Sequence, residues 1–240
     1  MKCMQRHKIV AFFLLTMCSS FADGSADIAK SHPNLVFDIG VTSYRSSEDF
    51  YQGEPICLRA GIRWNIERSS SDGVIQIGSE SSHWYESITF IVQKIEDDPA
   101  QSLQSKELLN DVAVKLLGPQ SNKRQLTPND IARSFWVIET TNTARLTAGK
   151  YSIQATIDVS CDTESKQETT TVSFASSELI ITLKEAPPDE RIQAEVLGAQ
   201  ARVNEFQQNY TKAIELLEQA MSLDPSRQDF HCNLGRAYEL

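Results

Sequence analysis

The chain holds few side chains in arrangements that do chemistry. Beyond residue 22 the histidines are His32, His83 and His231. His83 follows Ser82 and has Glu80 and Glu86 nearby, the residue types of an acid-base relay. These groups crowd one Ser-rich loop, whereas a relay needs a base oriented by a separate element, so they read as loop polarity. Glu96-Asp97-Asp98, and Asp158 with Asp162, offer oxygen ligands of the kind calcium takes, without the spacing of a helix-loop-helix calcium site. His231-Cys232 supplies two ligand types where structural zinc uses four. No HExxH, paired CxxC, phosphate-loop or GxSxG element occurs. The expectation is a non-enzyme with no catalytic residues, cofactor or metal.

One spacing does carry information. Ala201-Arg202-Val203-Asn204-Glu205-Phe206 returns as Gly235-Arg236-Ala237-Tyr238-Glu239-Leu240, an Arg-x-x-Glu-apolar phrase repeated after 34 residues. A period of this length belongs to helical-hairpin modules that bury their apolar faces only by stacking on neighbours. Such surfaces recognise partners.

The elements that position these residues follow from a change of period. Glu185-Ala186-Pro187-Pro188 forms a short stiff link. Beyond it the apolar period becomes about 3.6, with Ile192, Val196, Ala199 and Val203 on one stripe. Asn209 caps a second helix. In that helix Ala213 allows close approach, Leu217 and Ala220 continue the packing face, and Pro225 stops it. Asn233-Leu234-Gly235-Arg236-Ala237-Tyr238 then carries Leu-Gly-x-x-Tyr.

Together these motifs resemble the tetratricopeptide repeat (TPR) family over residues 189–240, one and a half repeats. The first repeat departs from the pattern, with Gln200, Ala201 and Asn204 where Leu, Gly and Tyr are usual. Leu197-Gly198 and Ala201 fit a hairpin three residues longer, but the Arg-Glu echo requires the strict spacing and makes this an atypical terminal repeat. The resemblance implies a concave groove lined by opening helices. It exposes Glu195, Arg202 and Glu205 from one repeat and Asp229, Asn233, Arg236 and Glu239 from the next. That is a mixed-charge surface for an extended or helical peptide; the alternative is a solvated helix face with its own ion pairs. Related repeats that clamp C-terminal carboxylates use Lys/Asn and Lys/Arg sets, of which only Asn233 resembles a member. Leu234, Tyr238 and Leu240 lack a following helix. Docking on the upstream domain, pairing with a second chain, or further repeats cover such an edge, and the last two are favoured.

Upstream, the period is two, the mark of strands with one dry face. Ile56, Leu58, Ala60, Ile62 and Trp64 alternate with Cys57, Arg59, Gly61, Arg63 and Asn65. Leu35 to Val41, Ile88 to Val92, Val112 to Leu116, Tyr151 to Val159 and Leu179 to Leu183 repeat the pattern, separated by Gly, Pro and Asp turns. About seven strands imply an antiparallel β-sandwich over residues 33–186. Leu146-Thr147-Ala148-Gly149-Lys150-Tyr151 resembles the tyrosine corner of immunoglobulin-like folds, in which the Tyr hydroxyl returns to upstream backbone. Ile153 stands where an antibody-type domain has Cys, so no specific family is implied. Trp84-Tyr85 in a loop-like stretch offers rings for stacking. This supports an alternative function, a sandwich binding a ligand, carbohydrate or protease with the helices as an appendage.

Residues 1–22 have a basic start, an apolar run from Ile9 to Met17 and small residues ending at Ala22, the pattern of a secretory signal peptide. Leu15-Thr16-Met17-Cys18 resembles a lipoprotein box except at Met17, so a lipid anchor at Cys18 is a secondary reading. The run is too short to span a bilayer, and no later stretch qualifies. Removing Lys2, Arg6 and Lys8 with the leader takes the net charge from −9 to −12, which argues against nucleic acid as a partner. Cys57, Cys161 and Cys232 then remain. Cys57 faces outward at one end of its strand and Cys161 lies at the far end of another, so no internal disulfide is expected. The whole reads as an exported scaffold, periplasmic or extracellular, that binds protein partners or itself.

Overall fold

The computed structural model describes residues 35–42, 48–64, 75–77, 83–96, 105–119, 125–127, 130–162 and 169–239. The leader with Cys18, His32, Ser82, the turns at 71–73 and 97–99, Leu240, and the side chains of Trp64, Cys161 and Asp162 lie outside the described residues. The described chain is a mostly antiparallel β-sheet region followed by helices.

Twelve strands are described: β1 (Leu35–Val41), β2 (Asp49–Tyr51), β3 (Ile56–Trp64), β4 (Ile75–Gln76), β5 (Thr89–Glu96), β6 (Ser105–Leu108), β7 (Val114–Pro119), β8 (Gln125–Leu126), β9 (Ile131–Ile138), β10 (Gly149–Asp162), β11 (Thr169–Ala175) and β12 (Leu179–Lys184). One sheet has the order β1-β3-β9-β7. The other runs β2-β12-β10-β5-β6, with β11 also paired to β10, and β4 pairs β8 separately. Among the described residues only β2 and β12 pair in parallel.

The two main sheets enclose one apolar core. From β3, Ile56, Leu58, Ala60 and Ile62 are wholly buried, and β10 contributes Tyr151, Ile153, Ala155, Ile157 and Val159. Phe90 of β5 meets Trp136 of β9 at 5.1 Å between ring centroids, joining one sheet to the other. The buried Trp136 indole donates to Ser134 Oγ at 2.9 Å, so neither polar group is left unpaired. Tyr151 behaves as its motif implies: its hydroxyl donates to the Thr147 carbonyl at 2.6 Å.

Several expectations need correction. The strands number more than seven because β2, β6 and β11 are short or polar and gain strand geometry from their partners. Strand β9 hides its period because Phe135 and Val137 are apolar on the face opposite Ala132, Ser134, Trp136 and Ile138. Val112 lies outside β7, whose register shifts between Leu116 and Gly118. Trp84 and Tyr85 are not a loop platform. They form a 3-10 turn, Trp84–Ser87, and both rings are buried in the core, where a ligand cannot stack on them.

Three helices follow: α1 (Glu190–Phe206), α2 (Tyr210–Leu223) and α3 (Gln228–Tyr238). Asp189 and Asn209 cap the first two, each accepting a backbone N–H. Between α1 and α2, Gln208 adopts φ 60°, with Gln208 N–H donating to the Glu205 carbonyl and Asn209 N–H to that of Asn204. This paired ending satisfies two terminal carbonyls of α1. Between α2 and α3, Asp224 Oδ1 accepts from Ser226 N–H and hydroxyl.

The stripe Ile192, Val196, Ala199 and Val203 is only half-buried. The positions α1 buries most are Ala194, Gly198 and Ala201. Small residues are needed there because the fully buried Phe230 of α3 comes so close that a Cβ on Gly198 would stand 2.5 Å from its ring. Among the described residues no helix is long and apolar enough to cross a membrane.

Candidate partner-binding site

Two charge networks join α1 to the α3 segment. The first centres on Arg227, just ahead of α3. Its Nε and Nη2 donate to the two carboxylate oxygens of Asp229 at 2.9 and 3.0 Å, and its Nη1 donates to Glu195 of α1 at 2.7 Å. The Asp229 fork, assisted by Glu195, raises the Arg227 pKa still further, and its guanidinium lies 5.0 Å from the Phe230 ring centroid. Arg227 therefore fixes the α2–α3 turn against α1 directly above the buried ring.

The second network explains the Arg-Glu echo. Glu205 Oε2 accepts from Arg202 Nη1 at 3.2 Å within α1 and from Arg236 Nη2 at 2.5 Å across to α3. The arginine of one repeat neutralises the glutamate of the other. The Glu205 side chain is only 8% exposed, and its Oε1 is buried without a hydrogen-bond partner. This differs from the expectation of an exposed glutamate: guanidiniums of both repeats close on it.

Of the seven groove residues, Glu195 and Asp229 thus meet through Arg227, and Arg202, Glu205 and Arg236 meet directly. Asn233 is half-buried and Glu239 exposed, and neither side chain has a hydrogen-bond or ion-pair partner among the described residues. Arg236 keeps 46% of its side chain exposed. Tyr238, 62% exposed, donates its hydroxyl to Glu218 of α2 at 2.8 Å and leaves its ring face open, while Leu234 packs against the helical core.

The end of α1 docks on the outer face of the four-stranded sheet. Phe206 stacks on Phe135 of β9 with centroids 4.5 Å apart, and Arg202 lies 4.9 Å from the centre of the Phe206 ring. This corrects the view of Cys57 as a residue on a wet face. It points outward as expected, but is 4% exposed, and burial pushes its thiol up to about 12, even with Arg202 nearby. Val137, its register partner, is covered too. Among the described residues Cys57 and Cys232 are free thiols, and no cluster of His, Cys, Asp and Glu has the arrangement of a metal site.

Sequence reasoning missed Arg227, Phe230, Phe135 and Phe206. Phe206 closes the echoed phrase, so its apolar character was visible. Its contact was not, because β9 lacks the alternation that would have announced a face to receive it.

No curated protein matches the chain. Among solved structures, the sporulation control protein Spo0M of Bacillus subtilis aligns at 10% identity and TM-score 0.31 over 72% of this chain, which spans 56% of that one. AggA, the major subunit of aggregative adherence fimbriae type I of Escherichia coli, aligns at 13% identity and TM-score 0.26 over 63% of this chain and 95% of its own. A type I cohesin of ScaB from Pseudobacteroides cellulosolvens aligns at 9% identity and TM-score 0.26, covering 64% and 95%. These likenesses are loose and give the sheet region no family. The family finding concerns the tail: residues 207–240, which hold α2 and α3, match the model of the TPR repeat.

Proposed function

We propose that this is an exported, non-catalytic scaffold in which an immunoglobulin-like sandwich carries a TPR surface that binds a protein partner or a second copy. The observation that carries the reading is the match of residues 207–240 to a repeat built for protein-protein contact, joined to what α3 leaves open. Asn233 and Glu239 are unengaged, Arg236 is half-exposed, and the Tyr238 ring faces solvent. Arg236 contacts Glu205 through Nη2 and keeps 46% of its side chain exposed, so its remaining N–H donors can take a partner carboxylate without breaking that pair. Export rests on the leader, and the non-catalytic reading on the missing catalytic motifs. The returning Tyr151 hydroxyl and the shared core of two sheets support the immunoglobulin-like description.

The test places a photo-crosslinking side chain at Asn233 and, as a control, at Glu107 on β6. A defined protein adduct or a dimer from position 233 alone is the expected result. A strictly monomeric mass by light scattering, with no adduct from position 233, would count decisively against the helical surface. N-terminal sequencing of the secreted chain, expected to begin after Ala22, tests export separately.

A further inference from the structure

The outer face of the four-stranded sheet changes character along its length. Pairing registers set its side chains in rows across β1, β3 and β9: Val36-Arg63-Ile131, then Asp38-Gly61-Arg133, then Gly40-Arg59-Phe135, and finally Cys57-Val137 under α1. The last row is covered and the third is half-buried. The first two are open: Ile131 is 43% exposed, and Arg63 and Asp38 are 41% and 40% exposed.

The first three rows hold three guanidiniums and one carboxylate on a chain whose net charge is −9. Asp38 is the only acid among them. Its Oδ2 lies 3.8 Å from Arg63 Nε, and its Oδ1 lies over Gly61, 2.9 Å from where a Cβ would stand. Arg59 Nη2 lies 3.7 Å from the corresponding point on Gly40. Arg59 and Arg133 have no ion pair or hydrogen bond among the described residues. The two glycines bring no side chain to the face, so the Asp38 carboxylate and the Arg59 guanidinium lie low across it.

We propose that this end of the sheet face docks an extended acidic segment of a partner protein, its alternate carboxylates falling on Arg59, Arg133 and Arg63. In the registers Arg133 is diagonal to both other arginines, which places neighbours roughly 7 Å apart. Alternate side chains of an extended peptide repeat at about the same distance, roughly 7 Å. Val36 and Ile131 flank Arg63 in its row and suit a segment that mixes apolar with acidic residues. The same face already accepts an apolar side chain, Phe206, at its other end. Long polyanions are disfavoured by the charge of the whole chain. This surface is separate from the helical one, so failure of crosslinking at position 233 leaves it standing.

The probe is a fluorescein-labelled peptide alternating glutamate with leucine and serine, titrated against the full chain at low salt and followed by anisotropy. Arg59→Gln and Arg133→Gln are each expected to weaken binding roughly tenfold. Asp38→Asn removes the internal competitor and should tighten binding, a gain that misfolding cannot produce. Added salt should weaken all forms. Equal affinity of wild type and both arginine variants overturns the proposal. So does absence of binding in both wild type and Asp38→Asn. Stronger competition from phosphatidylserine vesicles or duplex DNA than from unlabelled peptide overturns it in favour of a lipid or nucleic-acid surface.

Discussion

The sheet region and the helical region are stabilised on different principles. In the sheets, large side chains from two layers share one core, so each ring or branched chain is backed by many others. In the helices the buried cluster among the described residues is Ala194, Ala201, Leu216, Leu217, Ala220, Phe230 and Ala237, four alanines around one aromatic ring. Close helix approach through small residues makes that cluster tight but leaves it with little redundancy. A difference of this kind has a consequence for function: the helical surface can loosen while the sheets stay folded. The tryptophans Trp64, Trp84 and Trp136 all lie in the sheet region, so fluorescence reports one region and helical circular dichroism the other.

The largest expected effect comes from Phe230. Phe230→Ala removes the centre of the helical cluster and should cost roughly 3–5 kcal/mol, abolishing most helical signal while tryptophan emission stays native. Loss of both signals together would mean that the regions fold as one unit. Gly198→Ala attacks the same contact from α1. Helix propensity alone favours alanine by about 1 kcal/mol. The new methyl meets a fully buried ring at 2.5 Å, however, so net destabilisation of about 1–3 kcal/mol is expected by the same dichroism melt.

The next effect tests the joint between the regions. Phe206→Ala removes the stack on Phe135, a contact of about 0.5–1.5 kcal/mol beyond its buried area. It should uncover Cys57. Cys232 is exposed and should react with a disulfide reagent in either form, whereas Cys57, buried and pushed up to about 12, should react slowly in the wild type and much faster in the variant. Unchanged protection of Cys57 would show that the helix does not depend on this stack.

This contrast also explains what could be read from the sequence. Strand β3 declared itself because one of its faces is dry and the other largely polar. Strand β9 did not, because α1 covers part of its second face and selects Phe135 and Val137 there. The helices were legible from caps, small residues and the 34-residue echo, and Asn209, Ala213, Leu217 and Ala220 stand where that reading put them. The residues expected in the groove lie on α1, on α3 or at its end, but their pairing was not legible. Arg227 lies outside the echoed phrase, and the approach of Arg236 to Glu205 across α1 and α3 depends on how the helices pack.

A smaller stabilising change should sharpen the comparison from the opposite side. Gln208 holds φ 60°, a conformation that costs a side-chain-bearing residue about 1 kcal/mol or more and glycine almost nothing. Gln208→Gly should therefore raise the helical melting transition modestly without moving the fluorescence transition.

Acid provides the finest separation of the two regions. Hydrogen bonds from Ser226 hold the Asp224 carboxyl below its usual 3.8 in the α2–α3 turn. In the sheets, burial pushes Glu178 up, but hydrogen bonds from Lys106 and Ser152 outweigh it and bring the group below its usual 4.5. A carboxyl depressed by folding contributes stability that is complete above its unfolded value and is lost as pH falls through the folded one. Both regions should accordingly weaken below about pH 4, each through its own carboxylate. Asp224→Asn should flatten the acid dependence of the dichroism transition alone, and Glu178→Gln that of the fluorescence transition alone. If either substitution flattened both curves, the stack between Phe206 and Phe135 would be transmitting stability between regions, and the helices could not respond to a partner independently of the sheets.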